Sequence, residues 1–275
     1  PQYTRLDPYR GGAAAVDQVC RNLAAVGARP HALSDCLNFG NPEKADRLGF
    51  FREAVRGIGT VAGKLGLPLP SGNVSFYNET TLSSVPPTPV VLGTGIVKDV
   101  RRCVTSDLKE EGAVLYLLGK TKAELGGSEY YRINGGLGGE PPDTDADLLR
   151  RSIDSLVDAG EAGLIAACHD TSHGGVGVAI AEMCLGGDVG AEVEWSPNGL
   201  RPDLALFSES NTRWVLEARG NPSSLEDALR GLPLRRLGRV GGSELRVRVG
   251  PREFDVGVEA MRDAWSGGME RLVVG

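Results

Sequence analysis

Hydrophobic and polar positions follow two different periods along this chain. In its first part, apolar side chains recur at three- and four-residue steps over 12–28 and 42–65, which predicts two amphipathic helices. Short apolar runs predict strands over 30–37, 67–71 and 90–97. Helices are therefore expected to alternate with strands here.

The second part continues this mixture. Its apolar runs predict strands over 113–118, 164–168, 190–194, 214–217, 237–240 and 245–249. Helical periodicity predicts helices over 145–162, 174–185, 223–230 and 254–265. The glycine-rich stretch Gly126–Gly139 matches neither a Walker pattern nor a dinucleotide-binding fingerprint, so we interpret it as a mobile surface loop, with a role in subunit docking left open.

A charge-rich segment at 98–111 separates the two parts and predicts domains over 1–103 and 104–275. Short strand-to-strand connections favour an α+β fold with mixed sheets over one doubly wound parallel sheet. The first helix begins close to the amino terminus, so a leading strand of the first sheet is expected to be missing. An unpaired sheet edge would favour dimerisation.

Composition narrows the function classes. The chain has 275 residues and a net charge of −6, and its basic residues look scattered, which argues against a nucleic-acid partner. It lacks both an apolar run of the ~20 residues that a bilayer span needs and a signal-peptide pattern, so we expect a cytoplasmic protein without membrane contact. The five isolated cysteines are typical of reduced thiols.

Two polar segments, Ser34–Lys44 and Ser71–Glu79, each follow an apolar run and carry the candidate chemistry. Carboxylate and amide oxygens suit Mg²⁺, and glycine lets backbone N–H groups approach phosphate closely. The residues alone leave two interpretations open. Asp35 could instead cap a turn, and Gly72–Asn73 could be a turn after the 67–71 strand.

The second part offers weaker candidates. Cys168 and His169 are adjacent on a predicted strand and therefore point to opposite faces, which argues against a thiol nucleophile paired with a histidine base. Asp170 precedes a helix that opens on Gly174–Gly175, whose N–H groups favour an anion. His31, at the start of a strand, is interpreted as structural.

Several of these segments carry a resemblance to a known family. Asp35–Lys44, Ser71–Glu79 and the run Pro87–Val91 resemble phosphoribosylformylglycinamidine synthase, the large synthetase subunit of purine biosynthesis. His169–Gly175 and Leu206–Arg213 extend the resemblance through the second part. The family enzyme is similar to two fused copies of a two-domain unit like aminoimidazole ribonucleotide synthase, and this chain resembles the second copy.

The resemblance implies an ATP-dependent ligase that converts formylglycinamide ribonucleotide to its amidine with ammonia from a glutaminase. It implies that Asp35 and Gly72 contact ATP, that Asn73 binds Mg²⁺ and that Ser75 contacts the substrate. The family's catalytic histidines belong to the first copy, so this chain alone is expected to be inactive. The implied partners are that missing half, the glutaminase and a small accessory subunit.

The resemblance also implies an auxiliary, non-catalytic nucleotide site, which Asp170, Glu209 and Ser210 could line. His173 departs from the family here, because an acidic residue often occupies this position, and an imidazole is a poor magnesium anchor. Two alternatives remain: a non-catalytic nucleotide-binding and assembly module that could form a homodimer, and a related ATP-dependent enzyme of the aminoimidazole ribonucleotide synthase or selenophosphate synthetase type.

Overall fold

Two mixed β-sheets organise this structure, a computed structural model that describes residues 1–196 and 199–274. The strands are β1 Arg29–Asn38, β2 Ser71–Ser75, β3 Thr88–Ile96, β4 Val114–Leu118, β5 Ile165–Asp170, β6 Ala191–Trp195, β7 Trp214–Ala218, β8 Leu234–Val240, β9 Glu244–Val249 and β10 Arg252–Gly257. The helices are α1 Gln2–Leu6, α2 Pro8–Ala25, α3 Ala45–Leu65, α4 Glu129–Ile133, α5 Ala146–Glu161, α6 Gly175–Gly187, α7 Pro202–Phe207, α8 Pro222–Ala228 and α9 Val258–Val274. The predicted α+β class with mixed sheets is confirmed.

The small sheet has the order β2-β1-β3, in which β1 is parallel to β2 and antiparallel to β3. The parallel pair is possible because α3 supplies the crossover between its strands. Leu33 and Leu37 of β1 are buried and belong to the same core as α2 and α3. The small sheet therefore has one face covered by helices.

The large sheet has the order β10-β9-β6-β8-β4-β7-β5 and separates two hydrophobic cores. One core is shared with the small sheet and includes side chains of α2, α5 and α8. The other includes side chains of α6, α7 and α9. Because the first core contains residues from both sheets, the two parts of the chain fold around a common interior. No helix in the described part of the chain is long and apolar enough to cross a membrane.

Most of the predicted helices and strands are present, but the predicted bounds of one strand and one helix are wrong. The strand predicted at 67–71 begins only at Ser71, because Pro68 and Pro70 lack the N–H donors that a strand interior needs. Gly72 and Asn73 therefore lie inside β2 rather than in a loop after it. The helix predicted at 254–265 begins at Val258, since 252–257 forms the edge strand β10.

The glycine-rich stretch is more ordered at its start than the predicted mobile loop. Residues 126–128 are buried, and the N–H groups of Gly126 and Gly127 donate to the carbonyls of Glu140 (2.8 Å) and Leu137 (2.8 Å). The short helix α4 follows, with Ser128 as its N-cap. The stretch is thus a closed loop held at its base, and its exposed residues are 132–136, 138 and 139.

Candidate functional site

The two polar segments identified in the sequence lie side by side in the small sheet. In the parallel pair, Asp35 is in register with Gly72 and Cys36 with Asn73. A Cβ atom on Gly72 would clash with the Asp35 carboxylate, so this carboxylate extends across the bare backbone of Gly72. The expected convergence of the two segments is confirmed, and glycine at position 72 is what allows the carboxylate its place at the edge of the sheet.

Asn73 faces the opposite side of the sheet from Asp35, because neighbouring residues of a strand point to opposite faces. Its Nδ2 lies 3.7 Å from Sγ of Cys36, and Nδ2 of Asn38 lies 3.6 Å from the same sulfur. Asp35 and Asn73 therefore flank the β2 edge from its two faces. A ligand that touched both would have to reach round this edge.

The polar residues after Asn73 are occupied by contacts with the protein. The Ser75 hydroxyl contacts Oδ1 of Asn78 at 3.1 Å, and Nδ2 of Asn78 donates to the Ser75 carbonyl at 2.8 Å. Glu79 accepts from Nζ of Lys44 at 2.7 Å, and this hydrogen bond holds the pKa of Glu79 below its ordinary value. Asn78 and Glu79 therefore fix the shape of the segment, while Ser75 remains half-buried at its start.

The donor set limits the kind of magnesium site that this edge could form. No group of three or more His, Cys, Asp or Glu side chains in the described residues could hold a metal ion. Mg²⁺ commonly keeps several waters and binds through one or two protein oxygens plus nucleotide phosphates. Asn73 fits a metal held in that way through its single amide oxygen, whereas Asp35 lies on the opposite face of the sheet and does not complete a site made by protein ligands alone.

Glu209, a candidate for the auxiliary site, is a buried carboxylate whose oxygens are bound by the protein itself. Its Oε1 accepts from the N–H groups of Gly174 (2.8 Å) and Glu129 (2.9 Å), and Oε2 accepts from the Tyr3 hydroxyl. Nδ1 of His173 lies 3.6 Å from Oε2. The anion expected at the amino terminus of α6 is thus a side chain of this protein.

The ionisation of this cluster follows from its contacts. Burial alone would raise the pKa of Glu209, but the proximity of His173 and the hydrogen bonds from Gly174, Tyr3 and Glu129 outweigh burial and lower it. The Glu209 carboxylate in turn raises the pKa of His173. The imidazole at position 173 therefore pairs with a buried acid from a neighbouring loop.

Asp170 and Ser210 engage different partners. Oδ2 of Asp170 lies 3.4 Å from Nη1 of Arg21, and the Asp170 side chain is 14% exposed. Ser210 is fully buried, and its hydroxyl accepts from the backbone N–H of Lys122 at 3.0 Å. Of the three auxiliary-site candidates, Asp170 is the one that keeps some access to solvent.

The pair Cys168 and His169 behaves as the sequence predicts. Cys168 is buried, and burial raises the pKa of its thiol well above its usual value. His169 is partly exposed on the other face of β5, where Nε2 lies 3.3 Å from Glu182. His31, interpreted from the sequence as structural, is exposed on β1.

Sequence reasoning missed three buried charged residues, two of which, Asp17 and Arg21, join the two parts of the chain. Asp17 and Arg21 of α2 pair with each other, and Asp17 also accepts from the N–H (3.1 Å) and hydroxyl (2.6 Å) of Thr212. Arg213 is fully buried and donates to the carbonyls of Ser208 (2.6 Å) and Ser210 (2.8 Å), and burial lowers its pKa to about 9. The spacing of Asp17 and Arg21, four apart among small apolar residues, was the available signal.

The fold and these segments define a class of protein, and the family models agree with it. The model of the AIR synthase related protein, N-terminal domain, matches residues 1–97, and that of the AIR synthase related protein, C-terminal domain, matches residues 110–250. The chain therefore belongs to the AIR synthase related family.

Within that family the chain is similar to PurL, a phosphoribosylformylglycinamidine synthase subunit. It is 44% identical to PurL of Thermobifida fusca over 98% of this chain and 36% of that protein, and 44% identical to PurL of Moorella thermoacetica over 96% of this chain and 37% of that protein. The chain thus spans just over a third of the length of these relatives.

Solved structures agree on the fold. The structure titled "T. maritima PurL complexed with FGAR" has a TM-score of 0.79 and 22% identity, covering 94% of this chain and 44% of that one. The structure titled "T. maritima PurL complexed with ATP" has a TM-score of 0.75 and 23% identity, covering 93% of this chain and 41% of that one.

Proposed function

We propose that this chain is the carboxyl-terminal half of an ATP-dependent ligase that converts formylglycinamide ribonucleotide to formylglycinamidine ribonucleotide in purine biosynthesis. The observation that carries this proposal is the 44% identity to a PurL subunit over 98% of the chain. Two similar structures, of T. maritima PurL complexed with ATP and with FGAR, support the choice of substrates. We further propose that the protein acts in the cytoplasm.

In the proposed reaction, this chain binds the nucleotide. ATP transfers its γ-phosphoryl group to the amide oxygen of the substrate and leaves as ADP, after which ammonia adds to the activated carbon and phosphate leaves. Asp35 and Gly72 would contact ATP, and their register in β1 and β2 supports a shared role. Bound Mg²⁺ would neutralise phosphate charge. Asn73 would hold it from the other face of the β2 edge, and Ser75 would contact the substrate.

For the auxiliary nucleotide site we propose unequal roles. Asp170 would face the ligand, since its carboxylate is partly exposed. Glu209 and Ser210 would position the loops around it, because both are buried and bonded to backbone N–H groups. The proposed site is non-catalytic.

The proposed partners are the amino-terminal half of the enzyme, a glutaminase that supplies ammonia and a small accessory subunit. The open face of the small sheet supports the first of these, because it exposes apolar side chains of β3: Val90 (49%), Leu92 (64%) and Ile96 (53%). A second copy of this chain could cover the same face in a homodimer. Without the other half the chain is proposed to be inactive.

Complementation tests this proposal. The chain is mixed with a separately expressed amino-terminal half of a PurL relative, and phosphate release is followed with ATP, Mg²⁺, ammonia and formylglycinamide ribonucleotide. We expect turnover that needs both halves and that collapses with Asn73→Ala. If Asp35→Ala, Asn73→Ala and Ser75→Ala all leave turnover unchanged, only an assembly role remains for this chain.

A further inference from the structure

Tyr77, in the segment that follows β2, has a backbone conformation that tyrosines rarely adopt. Its φ is +59°, and the other non-glycine residues with positive φ in the described part of the chain are Asp188 and Thr212. An aspartate tolerates this region because its short polar side chain can bond locally, whereas a bulky tyrosine there is an outlier. The conformation of Tyr77 is therefore strained, and the surrounding structure has to maintain it.

Hydrogen bonds between the two polar segments hold Tyr77 in this conformation. Its N–H donates to the carbonyl of Gly40 at 3.3 Å, and the N–H of Asn78 donates to the carbonyl of Phe39 at 3.3 Å. Nδ2 of Asn78 donates to the same Phe39 carbonyl at 3.0 Å. The segment is thus fixed by its backbone and by Asn78, without help from the tyrosine ring.

The side chain of Tyr77 adds little to the fold through burial. It is 57% exposed, and its hydroxyl lies 3.4 Å from Oε1 of Glu43, which is itself exposed. A glycine at position 77 could adopt the same backbone conformation without strain and would give up little packing. A strained and exposed aromatic side chain beside a candidate site therefore points to a ligand contact.

The order of contacts along β2 indicates which ligand Tyr77 meets. This identification rests on the proposed function, in which Asn73 holds Mg²⁺ and Ser75 contacts the substrate. Asn73 and Ser75 lie on one face of β2, because they are two residues apart in a strand. Tyr77 follows Ser75 by another two residues, so their Cα atoms are at most ~7 Å apart. Tyr77 therefore lies at the substrate end of this row, beyond the metal and the nucleotide.

We propose that Tyr77 and Glu43 bind the ribose of formylglycinamide ribonucleotide. A tyrosine ring offers an apolar face to the C–H groups of a sugar, and a carboxylate accepts hydrogen bonds from ribose hydroxyls. The contact between the Tyr77 hydroxyl and Glu43 brings these two groups, one from each polar segment, to one exposed point. The substrate phosphate suits this point less well, since Glu43 would repel it and the next residue, Lys44, is paired with Glu79.

Calorimetry of the complemented enzyme, titrated with formylglycinamide ribonucleotide and separately with Mg-ATP, tests this inference. Tyr77→Gly and Glu43→Ala should each raise the Kd of the ribonucleotide by about tenfold and leave the Kd of Mg-ATP within about twofold. Tyr77→Phe keeps the ring face and should raise the ribonucleotide Kd by no more than about threefold.

Tyr77→Gly should at the same time stabilise the fold, because glycine adopts positive φ without strain. We expect the thermal unfolding midpoint of the chain to rise by roughly 1–3 °C. Weaker substrate binding together with higher stability is the combination that a ligand contact predicts. A tyrosine with a structural role would instead lower the unfolding midpoint when it is replaced.

The matched control is Asp188→Gly, which places glycine at another exposed residue with positive φ (+53°), at the end of α6. It should leave both Kd values within about twofold. An unchanged ribonucleotide Kd in Tyr77→Gly would overturn the inference. A raised Kd for Mg-ATP alone would also overturn it, because the ring would then lie at the nucleotide.

Two further outcomes separate this inference from the proposed function. If Tyr77→Gly prevents assembly with the amino-terminal half in sedimentation velocity, Tyr77 is an interface residue and only the inference is overturned. If the complemented enzyme with the unchanged chain binds neither formylglycinamide ribonucleotide nor Mg-ATP, the proposed function itself fails, and the inference fails with it.

Discussion

At the scale of single residues, the candidate nucleotide site depends on a glycine, Gly72, which has no side chain. The carboxylate of Asp35 lies across the backbone of Gly72, in a space that any Cβ atom at position 72 would take. Similarly, Gly175 at the start of α6 has a φ of +68° and lies close to the carbonyls of Leu206 and Ser208. Both glycines are needed for close approach, and the positive φ adds a conformational requirement at Gly175.

We predict that Gly72→Ala displaces the Asp35 carboxylate and lowers ATP-dependent turnover of the complemented enzyme by on the order of tenfold, or ~1.4 kcal/mol. The unfolding midpoint should change little, because Gly72 is exposed. Gly63→Ala is the control, since a Cβ there meets nothing within 4 Å. Gly63 lies in the last turn of α3, so the substitution should stabilise the chain by at most about 0.5–1 kcal/mol without changing turnover. Full turnover of Gly72→Ala would contradict the role given to the glycine.

The contact between His173 and Glu209 predicts a pH dependence of stability. Because the folded-state pKa of His173 is raised, its charged form stabilises the fold fully below the unfolded pKa of about 6.5, and this contribution is lost as pH rises through the folded pKa. The free energy of unfolding, measured in urea, should therefore be higher for the unchanged chain than for His173→Asn, and this difference should be larger at pH 6 than at pH 8.5. His31→Asn, on an exposed position of β1, is the control. If the unchanged chain and His173→Asn differ in free energy of unfolding by the same amount at both pH values, the contact between His173 and Glu209 is refuted.

At the scale of elements, periodicity predicted α2, α3, α5 and α6 well, because each buries one continuous face. Periodicity failed where the pairing of a segment with a neighbouring strand determines its secondary structure. β10 is an exposed edge strand whose only strand neighbour is β9 among the described residues. The turn signal Gly250–Pro251 was the available clue to this hairpin.

The candidate site was predictable only where its residues are local in sequence. Asp35 and Gly72 could be placed together because two short polar segments followed predicted strands. The surroundings of Glu209 could not be predicted, since its partner Tyr3 lies 206 residues away. A carboxylate at a glycine-opened helix looks the same in sequence whether it binds a ligand or a backbone N–H group.

The buried pair Asp17 and Arg21 ties α2 to the loop before β7, which gives a prediction for this element. Asp17→Asn leaves the Arg21 guanidinium buried without its charged partner in α2 and should cost roughly 3–5 kcal/mol in the free energy of unfolding. The double variant Asp17→Asn/Arg21→Met should recover a large part of that loss, because it removes the buried charge that has lost its nearer carboxylate and keeps only Asp170. Asp154→Asn, which removes an exposed pair with Arg29, is the control and should cost only ~0–1 kcal/mol. A similar cost in both single variants would contradict this account.

At the scale of the whole molecule, the two faces of the small sheet have different environments. One face belongs to the core shared with α2 and α3, whereas the other exposes Val90, Leu92 and Ile96. An apolar sheet face of this kind is typical of an interface. The chain spans only 36% of the length of its Thermobifida fusca relative, and the open face suits the amino-terminal half proposed as its partner.

We predict that this open face drives association. In sedimentation velocity at tens of micromolar, the chain alone should form dimers, and mixing with the amino-terminal half should replace them with a one-to-one complex. Leu92→Glu places a charge on the face and should abolish both species. Leu82→Glu, at a side chain that is 94% exposed in a loop, should leave both unchanged. A chain that stays monomeric and also fails to bind the amino-terminal half would contradict the prediction.

The most direct test of the central claim is calorimetry of Mg-ATP binding to the complemented enzyme with the unchanged chain, Asp35→Asn and Asn73→Ala. If this chain supplies the nucleotide site, both variants should weaken binding by about tenfold or more, since each removes an oxygen or a charge from the edge of β2. Gly63→Ala should bind as the unchanged chain does. Equal affinity in all four proteins would show that ATP binds elsewhere and would contradict the account.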